Sequence, residues 1–237
     1  MDFKRIDFTS RIDGKQDWMM VHDAGPSSDT ILSLHGHGSH GDQLLVRADM
    51  SMHIPLMESF GLSVISPNYR DNSWMSVPAV ADLADFLAEW KSAHPGRRIF
   101  IVSGSMGGTG ALIFAMRHPE LIDGVGALGA ATDLRRYAAW CRNFPEHFVI
   151  PEIGQAIEAA YTGDEYELHN VCLHADRLTM PVLYYHGDQD QLIPTSEALA
   201  LAEIMKGRPN FTLTLTPGGH DSPLACYPDA LTKLVKG

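Results

Sequence analysis

Few ten-residue stretches restrict a fold as tightly as Ile99-Phe100-Ile101-Val102-Ser103-Gly104-Ser105-Met106-Gly107-Gly108. A β-branched and aromatic run stops abruptly in small residues. Ala111-Leu112-Ile113-Phe114-Ala115-Met116 then supplies a helical pattern, so the sequence predicts a strand, a sharp turn and a helix. Such a corner exposes the residue at its tip, Ser105. It also demands minimal side chains two positions to either side, here Ser103 and Gly107, because larger ones would drive strand and helix into each other. Gly108 and Gly110 allow the helix to lie close on the strand.

The elements around this corner alternate. Phe3 to Ser10 and Gln16 to His22 flank Asp13-Gly14 as a hairpin. Thr30 to Leu34 reads as a buried strand and Leu62 to Ser66 as the next. From Val80 the apolar Leu83, Ala84, Leu87 and Trp90 recur at helical spacing, with Asp82, Asp85 and Glu89 on another face. Further strands are expected at Leu121 to Leu128, Pro181 to His186 and Phe211 to Leu215, with helices at Ser196 to Met205 and around Pro228 to Val235. Apolar strands alternating with helices imply an α/β architecture, a mostly parallel twisted sheet with helices on both faces. Residues 133–175 break the rhythm: they carry aromatic and helical segments but no clear buried strand. They are expected to form a small helical cap on a core of residues 1–132 and 176–237, over the carboxyl edge where open sheets bind ligands.

A length of 237 residues suits one such domain. The net charge of -11, without any run of Lys or Arg, argues against nucleic acid as a partner. Met1 to Asp7 is too charged for a signal-peptide core, and no apolar run approaches the roughly 20 residues of a membrane helix, so a cytoplasmic location and no membrane partner are expected. Cys141, Cys172 and Cys226 are odd in number and widely spaced, which suits free thiols rather than a disulfide framework or a zinc knuckle.

A serine hydroxyl is a weak nucleophile unless a base takes its proton and an acid orients that base. Downstream of Ser105, His186-Gly187-Asp188-Gln189-Asp190-Gln191-Leu192-Ile193-Pro194 follows a strand and offers two carboxylates, while Asp133 is a third candidate. Thr216-Pro217-Gly218-Gly219-His220 follows the last strand and raises a histidine on a Gly-Gly loop. Together these segments resemble the α/β-hydrolase family, with the elbow G-x-S-x-G carrying Ser103 in place of its first glycine. The resemblance covers nearly the whole chain. It implies Ser105 as nucleophile, His220 as base and Asp190 as the acid, in the order Ser, Asp, His.

The same resemblance implies two backbone oxyanion donors, Met106 and, from Leu34-His35-Gly36-His37-Gly38, His37. A competing metal site from His35, His37 and His40 lacks a carboxylate or cysteine at matching spacing, and no cofactor is called for. Tyr69, Trp74 and Trp140 are candidates for the substrate pocket, and Arg70 is either a grip for a substrate carboxylate or a solvated surface residue. The expected activity is hydrolysis of small carboxylic esters through an acyl-enzyme. Alternatives are a prolyl-oligopeptidase-type peptidase, a dienelactone-hydrolase-like enzyme, which commonly has Cys where this chain has Ser105, and a non-catalytic ligand-binding protein on the same fold.

Overall fold

The computed structural model describes all 237 residues. Eight strands form one sheet: β1 (Lys4–Thr9), β2 (Gln16–His22), β3 (Thr30–Leu32), β4 (Ser63–Pro67), β5 (Ile99–Gly104), β6 (Gly124–Leu128), β7 (Val182–Gly187) and β8 (Phe211–Thr216). Their spatial order is β1-β2-β4-β3-β5-β6-β7-β8. β1 and β2 form the antiparallel hairpin, β2 runs antiparallel to β4, and every other pairing is parallel. β3, β4 and β6 are buried along their whole length, as strands covered on both faces must be, whereas β1 at one edge is mostly exposed.

Ten helices complete the chain: α1 (Gln43–Val46), α2 (Ala48–Ser51), α3 (Ile54–Ser59), α4 (Val77–Ala93), α5 (Met106–Arg117), α6 (Leu134–Cys141), α7 (Ile150–Ala160), α8 (Glu165–Leu168), α9 (Ser196–Ile204) and α10 (Tyr227–Lys236). The pleat sorts the core into two layers, because neighbouring residues of a strand point to opposite faces. Ile31, Val64, Phe100 and Val102 meet Leu44, Met50 and Met57 of the α1–α3 segment and Leu231 and Leu234 of α10. Their neighbours Leu32, Ile65, Ile99 and Ile101 join the larger layer with Leu83 and Leu87 of α4, Phe114 of α5 and Leu201 of α9.

Three elements differ from expectation, one being the strand expected from Leu121, which begins at Gly124. The helix expected from Val80 begins at Val77, with Pro78 in its first turn where a missing N–H does no harm. The segment 43–59, given no structure by periodicity, holds three helices of four to six residues each. Residues 133–175 contain α6, α7 and α8 and no strand.

The chain leaves β3 toward β4 on one side and returns to β5 on the other. That reversal opens a crevice at the carboxyl ends of β3 and β5, into which the loop after β3 and the turn after β5 both project. An ion-pair cluster around the buried Arg70 fixes one flank. Arg70, only 8 % exposed, donates to Asp13 of the hairpin turn (2.7 and 2.9 Å), to Asp82 of α4 (2.8 Å) and to Ser10 Oγ (2.8 Å), while its backbone N–H donates to Asp17 (2.7 Å). Arg70 therefore neither faces solvent nor grips a ligand; it ties the hairpin to α4. No helix is long and apolar enough to cross a membrane.

Candidate active site

Ser105 follows β5 directly and caps α5 with φ 58° and ψ −127°, a conformation that L-residues rarely adopt. The corner is held from both sides, since the Ser105 N–H donates to Leu128 O (2.8 Å) and its carbonyl accepts from Thr109 N–H (2.9 Å). At Gly107 an added Cβ would collide with the carbonyl oxygen of Leu34, so α5 lies directly against the end of the β3 segment. Ser103, read in the sequence only as small, does more than leave room. Its buried hydroxyl accepts the Leu34 N–H (2.8 Å) and so pins the loop after β3 to the corner, which a glycine there could not do.

Three distant segments meet at Ser105. His220 Nε2 lies 2.9 Å from Ser105 Oγ, and His220 Nδ1 lies 2.7 Å from Asp190 Oδ2. A carboxylate only accepts, so Nδ1 carries the proton and Nε2 is left to accept from the serine hydroxyl. The Asp190 side chain has no solvent exposure, yet its charge is served. Oδ1 accepts the N–H groups of Leu192 (2.8 Å) and Ile193 (2.9 Å), and Oδ2 takes His220, with His186 Nε2 at 3.4 Å. His186 is itself buried and its pKa is lowered, first by desolvation; Nε2–H donates to Ile193 O (3.0 Å), which leaves Nδ1 as the bare nitrogen. The other two candidate acids hold loops. Asp188 Oδ1 accepts the Gly218 N–H (2.8 Å), which fixes the turn that carries His220, and Asp133 caps α6 by accepting the Arg136 N–H (3.0 Å).

The loop after β3 is fastened by side chains. Gly36 N–H donates to Gln43 Oε1 (2.9 Å) and Gly38 N–H to Asn72 Oδ1 (2.8 Å), while the N–H of His37 between them, like that of Met106, has no acceptor in the protein. These are the two backbone groups named from sequence, and both belong to residues beside Ser105: Met106 follows it, and His37 lines the same cavity. The histidines nearby are not free to gather around an ion. Both nitrogens of His35 face carbonyl oxygens, Gly36 O (2.8 Å) and Asn68 O (2.9 Å); the His37 ring is buried beside Trp74; and no group of three or more His, Cys, Asp or Glu side chains is placed to hold a metal. Desolvation lowers the pKa of His37, opposed by Glu152 of α7, whose Oε1 lies 3.5 Å from Nε2.

A cavity of about 540 Å³ opens over Ser105 and His220. It is lined by the helical segment after β3 (Gln43, Arg47, Asp49, Met50, Met52, His53), by Val149, Ile153, Leu192 and Ile193, and by Leu224 and Tyr227. None of the three aromatic candidates does. The Tyr69 hydroxyl donates to His35 O beneath the loop, Trp74 is fully buried against His37 and Tyr137, and Trp140 packs on Tyr137 and Phe144. Five non-glycine residues between Tyr69 and Met75 have positive φ, and this tight path turns Trp74 into the core. Tyr161 supports it: its hydroxyl lies 2.8 Å from the carbonyls of both Trp74 and Met75 and 3.1 Å from His169 Nδ1. His169 is buried, and desolvation with the nearby Arg117 charge lowers its pKa to about 4.

Comparisons with known proteins bear on the fold. A family model described as serine aminopeptidase, S33 matches residues 70–162. The comparison with curated proteins finds no match. Among solved structures, the chain is similar to the fluorophosphonate-binding serine hydrolase FphF of Staphylococcus aureus, at 18% identity over 99% of this chain and 98% of that one, with a TM-score of 0.72. It is similar to the Pyrococcus furiosus esterase Pf2001 at 18% identity over 99% and 89%, with a TM-score of 0.72. A prolyl endopeptidase is matched at 16% identity and a TM-score of 0.69, with 99% of this chain covered but only 38% of that one.

Proposed function

We propose that this chain, an α/β-hydrolase by fold, hydrolyses carboxylic esters of small molecules through Ser105, His220 and Asp190. The observation that carries the reading is the unbroken relay from Ser105 Oγ through His220 to Asp190, at 2.9 and 2.7 Å, opening into a cavity. In this reading Ser105 Oγ attacks the ester carbonyl while its proton passes to His220 Nε2. The imidazolium so formed is stabilised by Asp190 and returns the proton to the departing alcohol. Water then attacks the acyl-serine by the same route and regenerates the serine. The negative oxygen of each tetrahedral intermediate is assigned to the unpaired N–H groups of His37 and Met106, which need no reorganisation to meet it; each such donor is worth about 3 kcal/mol in rate.

Residues 133–175 are assigned as a cap, on the support that Val149 and Ile153 stand in the cavity wall. An ester is preferred to an amide because Pf2001, similar over nearly the full length of both chains, is an esterase, whereas the prolyl endopeptidase carries most of its length outside the match. The second reading, a peptidase, is favoured by the description of the family model.

Labelling with a fluorophosphonate followed by peptide mapping tests the reactive serine, and p-nitrophenyl esters beside aminoacyl and prolyl anilides test the substrate. Stoichiometric modification at Ser105 that disappears in His220→Ala, together with faster turnover of esters, is expected. Absence of labelling in folded protein removes the mechanism, and a preference for anilides replaces the esterase with the peptidase.

A further inference from the structure

The cavity lining differs in kind from one segment to another. Val149, Ile153, Leu192 and Ile193 present only hydrocarbon, whereas the segment after β3 presents Gln43, His53 and the Arg47–Asp49 ion pair among its methionines. Both side chains are buried, Gln43 at 6 % exposure and His53 at 8 %. Gln43 cannot be turned around. A backbone N–H can only donate, so the atom that meets Gly36 N–H must be Oε1, and the amide nitrogen with its two protons is left facing away from it with no acceptor in the protein. His53 is stacked on Tyr227 (centroids 4.3 Å apart, planes 12° from parallel), which fixes the ring while neither nitrogen is hydrogen-bonded within the protein. Desolvation lowers its pKa, so near neutrality the ring offers one donor and one acceptor. Polar side-chain atoms that lack a protein partner are free to meet a ligand, and here they occur on two side chains that line the same cavity.

Gln43 Oε1 holds the N–H of Gly36, one residue before His37, whose own N–H is assigned to the oxygen of the ester carbonyl. That oxygen belongs to the acyl group, and this link favours the acyl side of the substrate for Gln43 and His53.

Resting on the esterase reading, we propose that Gln43 and His53 determine acyl specificity by hydrogen bonding to an oxygen carried on the acyl group close to the scissile carbonyl. The preferred substrates are then alkoxy-, hydroxy- or oxo-acyl esters rather than plain alkanoates. Gln43 has a double position in this scheme: Oε1 anchors the loop that presents the His37 N–H, and Nε2 reads the substrate.

The test compares p-nitrophenyl methoxyacetate with p-nitrophenyl butyrate, which differ by an oxygen in place of a methylene, in the parent, Gln43→Glu and His53→Phe. Glutamate still accepts the Gly36 N–H but has no proton to give, and phenylalanine keeps the stack on Tyr227 but has no nitrogen. The ratio of kcat/KM for methoxyacetate to that for butyrate is expected to fall by about 3- to 10-fold in each variant, the range for one lost neutral hydrogen bond. A purely structural part for either residue lowers both esters alike and leaves the ratio at its parental value; that result in both variants overturns the proposal. A shift confined to one variant restricts recognition to that residue and removes the other from it. The matched butyrates of 2-methoxyethanol and butanol vary the alcohol instead, and a ratio change found only there overturns the assignment of the acyl side. Failure of the parent to hydrolyse any of these esters, by contrast, overturns the esterase reading itself, and this proposal with it.

Discussion

Ser105 offers a comparison in which the usual order of two substitutions reverses. At most positions alanine is more stabilising than glycine, because glycine loses more conformational freedom on folding, by about 0.5–1 kcal/mol. With φ 58° and ψ −127°, however, Ser105 sits where a Cβ crowds the backbone, a strain of about 1–3 kcal/mol. Ser105→Ala and Ser105→Gly both delete the hydroxyl, so the lost bond to His220 cancels between them. Alanine keeps the strain and glycine relieves it. Subtracting the entropy of glycine from the strain leaves Ser105→Gly more stable than Ser105→Ala by about 1 kcal/mol. Urea unfolding followed by tryptophan fluorescence reads this as a midpoint roughly 0.4 M higher at unchanged slope, or a Tm higher by about 2–4 °C. In the proposed mechanism, neither variant is expected to react with a fluorophosphonate. An alanine variant as stable as the glycine variant, or more so, refutes the claim that the corner stores strain at its tip.

Other consequences follow from the same geometry. Gly107→Ala places a methyl group against the Leu34 and His35 backbone, which cannot yield as a side chain would, and is expected to destabilise by about 1–3 kcal/mol and to slow labelling of Ser105; normal labelling in a variant of parental Tm contradicts the close approach. Arg70→Met strands the Asp82 carboxylate, whose side chain is 7 % exposed, and should lower stability by about 3–5 kcal/mol in urea. Where the variant remains folded, Ser105 should label at the parental rate, since no atom of that ion-pair cluster lines the cavity; a loss of labelling without loss of folding contradicts it. For His169 the pKa of about 4 lies below the unfolded value of 6.5, so the unfolded chain binds its proton first. Its contribution is complete above pH 6.5 and is lost as pH falls toward 4, about 3 kcal/mol across the window. His169→Gln should show a correspondingly shallower fall of the urea midpoint between pH 7 and 4.5, and an unchanged slope counts against burial of the neutral ring.

Strand positions could be anticipated where a single chemical pattern covers a whole element, as in the apolar runs at Ile99–Val102 and Val182–Tyr185. It could not where the element is too short to repeat. α1, α2 and α3 span four to six residues each, barely one turn apiece, so Gln43 and His53 carried no periodic signal although they stand beside Ser105 in space. The strand-to-helix corner brought out Ser105, the family resemblance singled out Asp190 and His220 in the loops after β7 and β8, and the structure brings these three together. Asp188 and Asp190 differ in a way that spacing alone does not encode: one reaches the Gly218 N–H and the other reaches His220. Tyr69, Trp74 and Trp140 follow strand or cap positions that suggested a pocket, but the positive φ values from Tyr69 to Met75 decide which way the rings point, and only glycine announces such values in a sequence. Arg70 defied the expectation that a guanidinium seeks water because its partners Asp13 and Asp82 come from elements 57 and 12 residues away.

The span of the relay bears on the order in which the protein acquires reactivity during its own synthesis. His220 and Ser105 lie 115 residues apart in the chain. At about 5–20 residues per second, a ribosome completes the corner that bears the serine roughly 6 to 23 s before it adds the histidine. Throughout that interval the strained turn exists without a base, because Asp190 is also absent for most of it and β7 and β8 have yet to pair. In the proposed mechanism, a nascent or prematurely released chain that lacks His220 is therefore silent toward esters. Reactivity switches on with the docking of the final strand and its Gly-Gly loop, so the rate at which labelling by a fluorophosphonate appears in a translating extract reports that last step of assembly.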